Sequence, residues 1–295
     1  MRLVRFESPT GPHLGALRGD TIVDLQAASG GDKLYSPDLR ELMAAGRQGI
    51  RRAADVAASA PAAPDRLGVF AASYVRLLAP VPPPSKVIAV GQNYLDHCRE
   101  QGVAPPKSPI LFSKAPSSVI GPGEAVRWPA GLTEQVDLEV ELGAVIGSVS
   151  RGLEKGKALG SIFGYTVLND VSARDLQFGD GQWVRGKSLD TFCPVGPCIV
   201  TADEIPDPQA LRLSSAVNGK KWQDSSTKEM IFTVDFLLAF ITQGITLMPG
   251  DVVATGTPNG VGFFQKPKAF LKAGDKMRLE VEKIGVLENP VAGDK

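Results

Sequence analysis

A chain of 295 residues with 32 lysines and arginines against 32 aspartates and glutamates carries no net charge for gripping nucleic acid, and no basic cluster is interleaved with aromatics. A hydrophobic content of 43% suits a full core in one large domain, or a large one with a smaller companion. Three cysteines (Cys98, Cys193, Cys198) make no disulfide framework in such a length, and no second Cys/His pair completes a zinc site.

Taken in order, the chain opens with short strands expected at Leu3 to Phe6, Leu14 to Leu17 and Thr21 to Leu25, with turns at Gly11-Pro12 and Gly19-Asp20. Its first residues have no apolar signal core, and Phe236 to Met248, the most apolar run, is too short to cross a bilayer. The expected compartment is therefore the cytoplasm, or the mitochondrion in a eukaryotic source. Helices are expected at Ser36 to Ala45 and near Gly49 to Ala60, and residues 61–66 break the pattern. Val75 to Leu78 leads into Pro80-Val81-Pro82-Pro83-Pro84, a run without the backbone donors a sheet interior needs. The boundary is placed there: a small α/β domain over residues 1–80 and a larger domain over residues 81–295.

Beyond the boundary the pattern turns to strands with Gly/Pro turns. They are expected at Lys86 to Val90, Ile110 to Phe112, Val136 to Ile146, Ile162 to Leu168, Pro197 to Thr201 and Arg212 to Val217. Val252 to Thr255 and the pair Met277 to Val281 and Gly285 to Glu288 follow, and Asn218-Gly219 signals a hairpin. Helical segments are expected at Asn93 to Gly102, near Glu154 to Leu159, and at Thr233 to Gln243 between a Thr cap and Gly244. The fold class is α+β, mostly β.

Within Val136 to Leu142 carboxylates and aliphatic residues alternate, so an extended chain would put Asp137, Glu139 and Glu141 on one face. On an edge strand those acids would simply face water. The strongly aliphatic continuation, Leu142 to Ile146, reads instead as a central strand, and Asn169-Asp170 ends the next one. Buried carboxylates need positive charge over them. Glu139, Glu141 and Asp170 from two neighbouring strands would make a partial octahedral site for a hard divalent cation, with positions left for water and a chelating substrate.

Of the two histidines, His13 lies in the N-terminal turn region and is given no role. His97 precedes Glu100 by one helical turn, so the carboxylate can orient the imidazole as a general base requires. Arg174 can clamp a carboxylate and Gln177 can fix a carbonyl, while Lys187 and Thr257 sit among small residues that permit close approach of a ligand. No GxGxxG, P-loop or GxSxG signature appears.

Six ordered motifs lie between Lys86 and Val291: NYxxHxxE, SKxxSSVIGP, DxEVELxxVIG, NDVSARDxQ, GKSxDTFCPxGP and PGDVxxTGTPxGVG. Over this stretch the chain resembles the fumarylacetoacetate hydrolase family, and within it the domain-containing protein 2 branch. The likeness implies a C-terminal mixed β-sandwich or β-roll, a small N-terminal domain and a homodimer. It further implies Mg²⁺ or Mn²⁺ on Glu139, Glu141 and Asp170, with His97 and Glu100 as a catalytic dyad on a lid. Lys187 would stabilise oxyanion charge, and Arg174, Gln177 and Thr257 would contact substrate. Asp137 matches a motif without being a ligand, and Gln92 and Leu189 depart from commoner residues. The expected substrate is a 2-oxo acid or 1,3-dicarbonyl that reacts through a metal-bound enolate. The expected reaction is C–C hydrolysis of an acylpyruvate. The alternative is oxaloacetate chemistry, either enol–keto tautomerisation or decarboxylation.

Overall fold

The computed structural model describes residues 1–64 and 68–293. The expected break at residues 61–66 is described only to residue 64; Asp65 and Arg66 lie outside the described residues.

At the N-terminus β1 (Arg2–Ser8), β2 (Gly11–Arg18) and β3 (Thr21–Asp24) run as antiparallel neighbours. The short helices α1 (Leu25–Ala28) and α2 (Arg40–Ala44) and the longer α3 (Gly46–Ser59) follow. Asp24 caps α1 by accepting from Ala27 N at 3.0 Å. The helix expected from Ser36 starts later, at Arg40, because Leu39 takes a left-handed conformation with φ 60°. Helix α3 buries Gly49, Ala53 and Ala57, small side chains at one-turn spacing that let it pack closely. The strands β4 (Val69–Ala71) and β5 (Leu77–Leu78) complete this part.

The remainder begins with β6 (Val87–Gly91), α4 (Leu95–Gln101), β7 (Ile110–Lys114) and β8 (Val119–Ile120). Next come β9 (Val136–Asp137), β10 (Val140–Ile146), β11 (Ile162–Asn169), β12 (Ser172–Ala173), α5 (Arg174–Gly179) and α6 (Val184–Lys187). The chain continues through β13 (Cys193–Thr201), β14 (Arg212–Val217), β15 (Lys220–Ser226) and α7 (Val234–Thr242). It closes with β16 (Val252–Ala254), β17 (Lys276–Val281) and β18 (Gly285–Pro290).

One mixed sheet runs β4-β3-β2-β1-β13-β11-β10-β16-β6-β7, with β5 added on β1 and β8 on β13. A second sheet, β15-β14-β17-β18, packs on β10, β11 and β13. The fold is thus mostly β with a few helices, as expected. Strands β10 and β11 are buried along their whole length, which suits the aliphatic run from Leu142 to Ile146 and puts Glu141 in the interior. The Pro80–Pro84 segment has no regular structure. The chain on either side of it meets in one sheet, since β1 pairs with β13 through Arg2 and Val200. The hairpin at Asn218-Gly219 forms with both residues at positive φ, 50° and 78°. The helical patch expected near Glu154 is a 3₁₀ turn at Ala158–Ser161.

The single strand expected from Val136 to Ile146 is in fact two. β9 pairs with β12, whereas β10 belongs to the large sheet. Between them, side chains replace the backbone ladder: Glu139 N donates to Asn169 Oδ1 at 3.1 Å and Val140 N to Gln223 Oε1 at 2.9 Å.

Candidate active site

Three carboxyl groups converge where β10 and β11 lie side by side. Asn169 opposes Val140, and Asp170 N donates to the Glu139 carbonyl at 3.0 Å. Oxygens of Glu139, Glu141 and Asp170 all lie within 4.8 Å of one another. These residues are 4%, 1% and 0% exposed, so a solvent-facing edge strand is ruled out as their setting.

Cationic side chains crowd the same space. Lys187 Nζ donates to Glu139 Oε2 at 2.8 Å and to Asp170 Oδ2 at 2.7 Å. Lys114, fully buried, donates to Asp170 Oδ1 at 2.6 Å and also to the carbonyls of Val171 and Lys187. Arg174 Nη1 sits 2.7 Å from Glu139 Oε1, while its Nε and Nη2 hold Asp137 Oδ2 at 3.0 and 2.8 Å. With Asp137 included, four carboxyl groups face three cations, one negative charge in excess.

Among the described residues no lysine or arginine pairs directly with Glu141, and the excess is met there by favouring the neutral carboxyl. Burial works to raise Glu139, but Lys187 and Arg174 outweigh it and hold that carboxyl well below the usual carboxylate range. At Glu141 burial, then Asp170, then Glu139 all push the carboxyl well above it. It accepts from the backbone of Gly256 N at 2.8 Å. An all-oxygen cluster of three buried carboxyl groups could hold a hard divalent cation, which would take the place of the proton that burial favours on Glu141. Glu141→Gln removes one donor and the charge. It is expected to weaken Mn²⁺ binding by more than about a hundredfold, beyond the tenfold to hundredfold typical of outer-sphere changes. Calorimetric titration of Mn²⁺ reads this directly, and unchanged affinity would exclude Glu141 as a ligand.

Asp137 stands outside the cluster of Glu139, Glu141 and Asp170, although alternation in the sequence would group it with the two glutamates. The chain leaves its strand after Asp137, which turns to accept from Arg174 and from the N–H groups of Leu138, Gly262 and Phe263 at 2.9, 2.8 and 3.0 Å. It anchors Arg174 and the loop after β16. Gly262 is required in that loop, because a Cβ there would lie 2.0 Å from the Ala269 carbonyl oxygen.

His97 lies on α4 with Nδ1 2.9 Å from Glu100 Oε2. Glu100 Oε1 in turn accepts from Gly260 N at 2.8 Å, so the carboxylate is held from both sides. Nε2 is the ring nitrogen left for a ligand. The helix is docked, since Asp96 accepts from Ser225 Oγ at 2.5 Å and the His97 ring meets Phe264 edge-on at 5.9 Å. His13 is engaged elsewhere, with Asp24 and Thr10.

A cavity of about 50 Å³ joins these groups, lined by His97, Glu139, Glu141, Arg174, Gln177, Lys187 and Thr257. Glu100 and Asp170 reach it through His97 and Lys187. All nine residues singled out in the sequence therefore meet at one place. The Gln177 carbonyl accepts from Arg174 at 3.1 Å, which leaves its NH₂ for a ligand. Thr257 Oγ1 donates to the Val140 carbonyl at 3.0 Å and accepts from Gln223 Nε2 at 2.8 Å. Gln223 and Lys114 were not singled out. Lys114 stands in a quoted motif, but Gln223 meets Val140 across 83 positions of sequence and only the tertiary fold joins them.

Residues 86–292 match the family described as fumarylacetoacetate (FAA) hydrolase C-terminal. The chain is 43% identical to oxaloacetate tautomerase FAHD2A, mitochondrial, of Homo sapiens over 99% of its length and 91% of that protein. It is 40% identical to oxaloacetate tautomerase YisK of Bacillus subtilis, covering 92% of this chain and 93% of the relative. Among solved structures, fumarylacetoacetate hydrolase from Exiguobacterium antarcticum superposes with a TM-score of 0.84 at 39% identity, covering both chains fully. The chain belongs to the fumarylacetoacetate hydrolase family.

Proposed function

We propose that the protein interconverts the enol and keto forms of oxaloacetate. C–C hydrolysis of an acylpyruvate, the main expectation from sequence, has less support than this alternative. Full-length relatives at 40% and 43% identity are named oxaloacetate tautomerases. The observation that carries the reading is one free imidazole nitrogen, on His97, sharing a cavity of about 50 Å³ with the carboxylate cluster. Tautomerisation needs a proton carrier at C3 and stabilisation of charge on the 2-oxygen. Hydrolysis needs, in addition, a water placed to attack the carbonyl beyond C3.

In this reading His97 Nε2 takes a proton from C3 in the keto-to-enol direction and returns it in reverse, while Glu100 holds the ring. Lys187 and the Gln177 NH₂ offer N–H donors to the oxygen that gains charge. Mg²⁺ or Mn²⁺ on Glu139, Glu141 and Asp170 would supply Lewis-acid stabilisation of that charge. A homodimer belongs to the same reading. Three buried free thiols support a reducing compartment such as the cytoplasm.

The test uses Mn²⁺-loaded protein and follows loss of enol-oxaloacetate absorbance beside CO₂ release from oxaloacetate and cleavage of acetylpyruvate. Acceleration of the first alone is expected. Faster acetylpyruvate cleavage would restore the hydrolase, and CO₂ release in step with enol loss would point to the decarboxylase.

A further inference from the structure

Two glutamines in the cavity wall have no part in the chemistry above. Strand β6 ends at Gly91, and Gln92 then takes φ 52°, left-handed backbone that is unfavourable for a residue with a side chain. Its carbonyl is met by Cys98 Sγ at 3.6 Å. Helix α4 ends at Gln101, and Gln92 Nε2 donates to Gln101 Oε1 at 3.1 Å. Both residues line the cavity and are half-buried.

Two primary amides carry four N–H groups, and the bond between them uses one. Whichever way the amides are turned, one keeps its whole NH₂ group. The cations of the cavity are largely engaged: Arg174 by Asp137, Glu139 and Gln177, and Lys187 by Glu139 and Asp170, which leaves Lys187 one N–H for the 2-oxygen and none for a distal group. A substrate held by its 2-oxo acid end at the carboxylate cluster therefore meets neutral amide donors on this wall. A distal carboxylate takes such donors through two charged oxygens, whereas an acylpyruvate offers one neutral carbonyl oxygen and an alkyl group there, a weaker and incomplete match in a half-buried place.

We propose that Gln92 and Gln101 form the subsite for the distal carboxylate of a 2-oxo diacid and select diacids over acylpyruvates. This inference rests on the oxaloacetate reading and names the residues that would make it specific. Gln92→Leu removes the amide while keeping a side chain of similar bulk.

The experiment compares Gln92→Leu, Gln101→Leu and the unmodified chain, each Mn²⁺-loaded, by calorimetric titration with oxalate and with malate. Oxalate lacks a distal arm and malate has one. Each variant is expected to bind malate about tenfold or more weakly, as for loss of a hydrogen bond to a charged group, with oxalate affinity held within about twofold. KM for enol-oxaloacetate should rise with kcat little changed. Equal weakening of both ligands, or of neither, would overturn the proposal. If the unmodified protein fails to turn over enol-oxaloacetate, the catalytic reading falls while the malate-to-oxalate ratio still decides the subsite.

Discussion

Replacing His97 by asparagine is expected to lower kcat for enol-oxaloacetate by about a hundredfold to ten-thousandfold, the range for a lost general acid–base group. The reason is geometric. Nδ1 is committed to Glu100, so Nε2 is the ring atom able to carry a proton into the cavity. Asparagine keeps a polar side chain on α4 but cannot accept a proton and pass it on. Mn²⁺ affinity should be unchanged, because the carboxylate oxygens that would hold the ion come from other elements. Stopped-flow assay of enol loss with a parallel metal titration measures both. A variant that keeps full turnover would remove the dyad from the mechanism. Glu100→Gln should give a smaller loss, since Gly260 N would still hold the side chain in place.

The second large effect is on stability. Arg174→Met takes the guanidinium away from two buried carboxylates, Asp137 and Glu139. Breaking one partner out of a buried ion pair costs about 3–5 kcal/mol, because the charge left behind has no water to turn to. Asp137 would keep its three backbone donors, which limits the damage at the 262–263 loop. Urea unfolding with and without Asp137→Asn in the same chain separates the two contributions. The double variant should recover part of the loss through coupling of neighbouring sites. If Arg174→Met unfolds at the same urea concentration as the unmodified protein, the pair is not buried in solution as the structure has it.

Much of the site was legible in one dimension. Alternating acids within an aliphatic run mark Glu139 and Glu141, and His97 and Glu100 are one helical turn apart, so local geometry pairs them. Asp137 shows where that logic stops. Alternation assumes one uninterrupted strand, but Asn169 and Gln223 take the backbone donors after Leu138 and divide it into two. The same tertiary bonds turn Asp137 from a neighbour of the carboxylate cluster into the partner of Arg174.

Composition, periodicity and motif order thus determined a mostly β protein and marked three acids, a His–Glu pair and two cationic side chains as candidates for one site. Only the tertiary structure decided which acid leaves the cluster, that Lys114 and Gln223 support it, and that Gln92 and Gln101 meet in the cavity wall. The physical reason is range. Side-chain periodicity and helix-turn spacing act over a few residues, while the charge balance around Glu141 and the shape of the cavity are set by groups brought together from β6, β7, β10, β11, β15 and α4 to α6.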